Sequence, residues 1–172
     1  MTLEEAHAYQ RSILGYLGAD DAAVVQAAEA ESWRGLLSGA GRHLRTRPAP
    51  GEWSALECLG HMTDSELVTS TRYRWVLAEN EPALPGWDQQ AWADRFDHSN
   101  DDPDVLLALF AALRSANLEL WARTPVAARV RAGIHAERGP ESYDLLFRMR
   151  AGHGILHHAQ AERALVEARR TK

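Results

Sequence analysis

His153 and His157 stand four residues apart in the stretch Met149-Arg150-Ala151-Gly152-His153-Gly154-Ile155-Leu156-His157-His158-Ala159-Gln160. On an α-helix that spacing stacks two side chains about 6 Å along the axis and about 40° around it. Two imidazoles so placed can reach one metal ion. Steps of three and four along the same helix give Tyr143, Leu146, Arg150, His153, His157, Gln160 and Ala164, apolar or small at the ends and polar in the middle. Polar residues turned toward a core must find partners there. The plainer reading is one hydrogen-bonded core histidine and a second His by chance. The chain has eight His, so His-x-x-x-His alone is a weak motif and a third ligand has to come from elsewhere.

The elements that would position these residues are helical. Ala, Leu, Glu and Arg dominate the 172 residues, and alternating Val, Ile and Thr runs are nearly absent. Thr2, with Glu5 at the capping-box position, starts a helix through about Leu17 that ends at Gly18-Ala19-Asp20. A second helix spans about Asp21 to Leu37, with a possible kink between Glu29 and Ser32, and stops near Gly39 and Gly41. After the Thr46–Gly51 loop, Ser54 and Glu57 form a capping box, and that helix runs to about Glu79. Pro82 to Gly86 reads as a loop, Trp87 to Phe96 as a short helix and Asp97 to Asp101 as a polar linker. Asp102-Pro103 opens a strongly amphipathic helix that stops before Pro125. Val126 to Pro140 reads as irregular, and Ser142 caps the last helix. With the first helix set aside as an N-terminal addition, the stretches near 21–37, 54–79, 102–124 and 142–168 predict an all-α four-helix bundle with long connections. No repeat or long linker divides residues 1–172, so one domain is expected.

Composition narrows the function. The net charge of −5 offers no footprint for nucleic acid, and the one cysteine, Cys58, excludes a disulfide framework or a multi-cysteine zinc site. No apolar run approaches about 18 residues and the first residues lack a signal-peptide pattern. A cytoplasmic protein that touches neither membrane nor nucleic acid is expected.

His61, on the second bundle helix, is the natural third ligand. Three imidazoles with open positions make a reactive metal site, whereas a structural site is closed by four protein ligands. The segment Pro48 to Glu66, PAPGEWSALECLGHMTDSE, resembles the P-x-P-G-x-W-S-x-x-E-x-x-x-H-x-x-D-x-E segment of the DinB/YfiT-like metalloenzymes. Leu84-Pro85-Gly86-Trp87-Asp88 through Trp92 looks like that family's following connection, and His153 to Gln160 resembles its H-D-x-x-H-x-x-Q ending. The likeness covers residues 20 to 168, with one departure: Gly154 stands where the family usually has Asp. The resemblance implies a four-helix bundle of the DinB/YfiT type with one divalent metal, zinc or nickel, on His61, His153 and His157. It also implies reactions such as S-transfer or isomerisation with a low-molecular-weight thiol like bacillithiol or mycothiol. The alternatives are a metal-dependent hydrolase and a non-catalytic metal-binding stress-response protein.

Other residues have plainer readings. Glu57 is a capping residue or an acceptor for a ligand imidazole, and Arg150 pairs with an internal carboxylate or holds an acidic ligand. His158, about 100° around the helix from His157, should contact another helix, and Cys58 should be a buried small residue. The six Trp should lie in the core or at a homodimer surface, as relatives often dimerise. Neutral imidazole ligands predict metal affinity that falls below about pH 6.5. Specificity for a small anionic substrate is expected from the 82–101 and 126–140 connections, which hold Trp87, Trp92, Arg95, Arg129, Arg131 and His135.

Overall fold

The computed structural model describes residues 2–170. Six α-helices form: α1 Leu3–Leu17, α2 Ala22–Ala40, α3 Ala55–Ala78, α4 Gln89–Phe96, α5 Pro103–Arg123 and α6 Tyr143–Arg170. Their starts obey local chemistry. Thr2 and Ser54 close capping boxes with Glu5 and Glu57, while Asp21, Asp88 and Asp102 each accept backbone N–H bonds from the first turn. Ser142 Oγ accepts from Leu145 N at 3.1 Å, as expected of a cap. α2 continues unbroken through residues 29–32 and ends at Gly41, whose φ of 53° is open to glycine at little cost.

Four helices make the bundle. α3 packs on α5 and α6, and α2 packs on the same two, so α2 and α3 face each other across the diagonal. One core cluster joins Trp33, Leu56, Leu59, Met62, Phe110 and Leu165; a second joins Tyr73, Val76, Leu84, Tyr143 and Phe147 at the other end. α5 holds a window of mean hydropathy 1.4, long and apolar enough by length and composition to cross a membrane. Yet its Arg114 and Asn117 are buried and spent on carboxylates of α2 and α3, so here it is a bundle wall.

Three sequence expectations change. α1 is no appendage: it lies along α6 and buries Ala6, Ile13 and Leu17. Gly152 allows that approach, because a Cβ there would overlap the Ile13 carbonyl oxygen. The two connections read as loops contribute a small sheet of order β1-β2-β3: β1 Ala83–Leu84 runs parallel to β2 Ala132–His135, which pairs antiparallel with β3 Gly139–Ser142. Strands of two to four residues carry too little alternation to be seen in a sequence. The polar linker 97–101 also buries a residue. His98 sits between Asp101 (Nδ1 to Oδ2, 2.7 Å) and Asp64 of α3 (Nε2 to Oδ2, 3.0 Å). Its ring fills the space over Gly60.

The α1–α6 contact can be checked by unfolding in urea. Gly152→Ala is expected to cost about 1–3 kcal/mol, because backbone must move to admit the methyl. Gly15→Ala, where nothing lies within 4 Å, should instead stabilise α1 by about 0.5–1 kcal/mol. Equal effects at the two sites would mean that α1 does not dock closely.

Candidate metal centre

α3 and α6 each bring an apolar face to the bundle and a polar residue with it. His61 on α3 and His153 and His157 on α6 are all buried, at 1%, 7% and 9% exposure. Their ring nitrogens converge. His153 Nε2 lies 3.0 Å from His157 Nε2 and 3.4 Å from His61 Nε2, and one ligand atom from each fits within 4.8 Å of the others. Trp53 and Trp87 flank the His61 ring with centroids at 4.9 and 5.8 Å, so the residue before the α3 cap covers the cluster.

The neighbours fix which nitrogens carry protons. Gln160 Oε1 accepts from His157 Nδ1 at 2.8 Å, so a neutral His157 turns a lone pair on Nε2 toward the cluster. A guanidinium only donates, so the 2.7 Å contact from Arg150 Nη1 makes His153 Nδ1 the acceptor. The His153 proton then sits on Nε2 and bridges to His157. His61 Nδ1 is buried without a hydrogen-bond partner. Three converging imidazole nitrogens fit a divalent ion; for His153 to ligate through Nε2 as a neutral ring its proton would shift to Nδ1 and the Arg150 contact would give way.

Burial, reinforced by the neighbouring imidazoles and the Arg150 charge, pushes His61 down to about 2 and His153 well below the ordinary histidine range. Burial likewise lowers His157 to about 4 against the opposing hydrogen bond of Gln160. The imidazoles therefore stay neutral and ready to ligate well below pH 6.5, lower than their ordinary titration predicts.

The remaining sequence candidates sort cleanly. Arg150 takes its structural reading: Nε donates to Glu66 Oε2 at 2.6 Å, deep in the bundle. Glu57 is spent on the cap and on Arg47, and touches no ligand imidazole. His158 meets Trp33 of α2 edge-on at 5.2 Å. Burial raises the Cys58 thiol to about 12, which removes it as a nucleophile. A Cβ at Gly154 would come within 2.5 Å of Glu29 Oε1, so the buried α2 carboxylate occupies the space a side chain there would need.

A cavity of about 360 Å³ opens beside the cluster. His153 lines it together with Trp87 and His135 from the two connections. Trp92 meets Trp87 edge-on at 4.6 Å instead of lining it. Arg95 also lies off the lining. Arg129 covers Trp121 at 3.8 Å, and Arg131 donates to the carbonyls of Val76 and Glu79. Sequence reasoning missed Tyr9 and Ile13 of α1, Arg72 of α3 and Arg138. For Arg72 a signal exists, a cation at helical spacing from Ser65 and Thr69 on the face of His61's own helix.

Two measurements test the centre. His61→Ala, His153→Ala and His157→Ala should each lose stoichiometric zinc or nickel by elemental analysis, and Gln160→Leu should weaken binding about 10- to 100-fold. The pH dependence of the metal-free fold follows from the shifts. Unfolded, these histidines take protons near pH 6.5, while the folded cluster resists, so the unfolded chain binds more protons below that point. Their contribution is complete above about pH 6.5 and is lost as pH falls toward about 4. His98 runs the other way. Its hydrogen bond to Asp64, opposed by burial and aided by Asp101, raises it, so its contribution holds below about pH 6.5 and fades as pH rises through the raised value. Urea unfolding of metal-free protein from about pH 7 to about pH 5 should show a net fall, with a shallower slope in His157→Ala. A flat profile would contradict neutral burial of the cluster.

The DinB superfamily model matches residues 27–161. Among curated proteins, the chain is 32% identical over 63 residues to the Bacillus subtilis protein named "Putative metal-dependent hydrolase YfiT", covering 37% of this chain and 35% of that one. It is 31% identical over 97 residues to a Bacillus licheniformis protein also named "Putative metal-dependent hydrolase", covering 49% and 55%. It is 26% identical over 116 residues to one so named from Oceanobacillus iheyensis, covering 67% of each. The match thus spans about a third to a half of the first two relatives' lengths. The solved structure described as "YfiT from Bacillus subtilis is a probable metal-dependent hydrolase with an unusual four-helix bundle topology" superposes with a TM-score of 0.78 at 20% identity, covering 84% of both chains, which shows the shared fold. A family model that matches most of the chain, on a bundle that brings its three motif histidines to one point, leads to one conclusion: the chain belongs to the DinB superfamily.

Proposed function

We propose that this chain is a divalent-metal-dependent enzyme that acts on a small molecule held in the cavity beside His61, His153 and His157. The observation that carries the reading is the cavity itself. His153 is a wall of it, so a group bound there reaches the imidazole cluster from outside. A site that only braced the bundle would need no such opening. The ion expected is zinc or nickel, since imidazole ligands suit both.

When bound, such an ion lowers the pKa of a ligated water or thiol toward neutrality and polarises an adjacent carbonyl. The chain's own groups do the rest. Gln160 holds the His157 tautomer, Arg150 stands behind His153, and the Trp53 and Trp87 rings shield the flanks of His61. Carboxylates next to the cluster are already engaged: Glu66 by Arg150 and Asn117, Glu57 by Arg47 and Ser54. No carboxylate at the cluster is left to act as general base among the described residues. That favours a nucleophile that ionises on ligation alone; a low-molecular-weight thiol, whose free pKa of about 8.5 lies far below that of water, does so most readily, in an S-transfer or isomerisation. Hydrolysis by an activated water is the second reading, and the names of the relatives support it.

Thermal unfolding of the zinc- or nickel-loaded chain with bacillithiol, mycothiol, glutathione and coenzyme A separates the two. One thiol at about 100 times its dissociation constant should raise the Tm by roughly 5–10 °C in the wild type and not in His153→Ala. If no thiol shifts the Tm while the loaded protein hydrolyses activated esters in a His153-dependent way, water is the nucleophile. If neither occurs, the site is not catalytic.

A further inference from the structure

The cavity wall also holds a buried arginine with no carboxylate within ion-pair distance among the described residues. Arg72 on α3 is 7% exposed and lines the cavity. Arg114 and Arg150, the other buried arginines, each lie within 3.0 Å of a carboxylate. Arg138, also on the cavity wall, is paired with Glu141 through two hydrogen bonds. Arg72 forms no salt bridge among the described residues. Its Nη2 donates to the Pro85 carbonyl at 2.5 Å, and its Nε has no partner at all. Burial, then the Arg138 charge, pushes the guanidinium down to about 10 against the opposing Glu141 and Glu137 charges. Buried charges in proteins are ordinarily paired, because desolvation without a partner is expensive.

A second observation concerns His135, the next residue on that wall. Two donors meet the His135 ring, the Glu137 backbone N–H at Nδ1 (3.2 Å) and Arg72 at Nε2, and a neutral ring accepts only one of them; where Nδ1 accepts, the proton sits on Nε2. Burial first, and then the Arg138 charge, lowers His135 to about 4, which keeps the ring neutral. Its Nε2 faces Arg72 Nη2 at 3.3 Å. In that tautomer two donors point at one another with no acceptor between them. Such a juxtaposition is satisfied when an acceptor carrying negative charge bridges both.

We propose that Arg72 and His135 form the anion subsite of this cavity and bind a carboxylate on the substrate whose other end reaches His153. This rests on the reading of the cavity as the substrate site. The cavity lining also carries Glu137 and Asp88, so a single negative charge is accommodated more readily than a dianionic phosphate. The spacing sets the length of the molecule. Arg72 follows His61 by eleven residues on α3, about 16 Å along the axis. Both side chains lean back toward the helix N-terminus, the longer arginine further, so the gap is about 10–15 Å. That is roughly the reach of three to four extended residues, so the fitting substrate is an elongated, carboxylate-tipped molecule and not a two- or three-carbon acid.

The probes are mercaptooctanoate and mercaptooctanol, of equal length and differing in the terminal charge, with thioglycolate as the short acid. Each is titrated calorimetrically into the cobalt-loaded chain, and the near-ultraviolet sulfur-to-cobalt band is read in the same samples. Mercaptooctanoate should bind about 10- to 100-fold more tightly than mercaptooctanol in the wild type, and thioglycolate should gain nothing from its charge. In Arg72→Met the preference should vanish while mercaptooctanol affinity is kept; His135→Phe should narrow it and serves if Arg72→Met does not fold. Equal affinities in the wild type, or a preference that survives Arg72→Met, overturn the subsite even if both ligands give the cobalt band. A carboxylate preference lost in Arg72→Met without any band supports the subsite and rejects sulfur ligation at the histidines. Neither preference nor band rejects both.

Discussion

The Glu66 carboxylate is the constraint on which the rest of the structure depends. It is fully buried at the centre of the bundle. Burial pushes its carboxyl up, but the Arg114 and Arg150 charges and the Asn117 amide hold it below its ordinary range. Arg150 reaches it from α6, Asn117 and Arg114 from α5, and Arg114 also lies 2.9 Å from Glu29 of α2. The Glu29 and Glu66 contacts are ion pairs through Nη2, while Arg114 Nη1 donates to Gln26 Oε1, so both charge attraction and a directed hydrogen bond join α2. Two carboxylates and two guanidiniums close a neutral network across all four bundle helices. Loss of one member strands a buried charge, which costs about 3–5 kcal/mol.

That network also sets the chemistry of the cluster. Arg150 is held by Glu66 and the Met62 carbonyl, and from there it addresses His153 Nδ1. The same guanidinium that stabilises the bundle therefore sets the His153 tautomer of the metal-free cluster and, after burial, helps keep the imidazoles neutral. A polar stripe on α6 is tolerable because each of its members has a use: Arg150 answers Glu66, His153 answers Arg150, and His157 answers Gln160. His61 Nδ1 is the exception, buried and unpartnered. The cluster is thus rigid on the α6 side, where hydrogen bonds orient it, and held on the α3 side by the rings of Trp53 and Trp87.

The cavity adds a gradient along α3 and α6. At one end stand neutral imidazoles that suit a soft cation, and at the other a buried guanidinium that suits an anion. α1 forms part of the wall between them through Tyr9 and Ile13. The small sheet brings His135 and Arg138 to the opposite rim, where Glu141 of β3 holds Arg138 in place. Connections that look irregular in the sequence therefore build the part of the site in which a substrate would be selected.

What the sequence determined by itself is local. Capping boxes at Thr2 and Ser54, the Asp102-Pro103 start and the glycine stops mark the helices within a few residues, because a helix end is settled by neighbours three or four positions away. The i, i+4 pair of His153 and His157 is likewise a property of one helix, and His61 could be named because it sits in a segment of recognisable order. Only the tertiary structure decided the rest. Whether Arg150 served a substrate or a carboxylate depended on Glu66, 84 residues away. That α1 belongs to the site depended on the missing Cβ of Gly152, and the small sheet depended on pairing between connections that lie about 50 residues apart. Arg72 shows the physical reason most plainly. In the sequence it is one of many arginines on helices, and its meaning comes from the lack of a carboxylate at ion-pair distance among the described residues. Periodicity reports which face a residue occupies, whereas charge compensation in a core is a sum over all the elements that surround it.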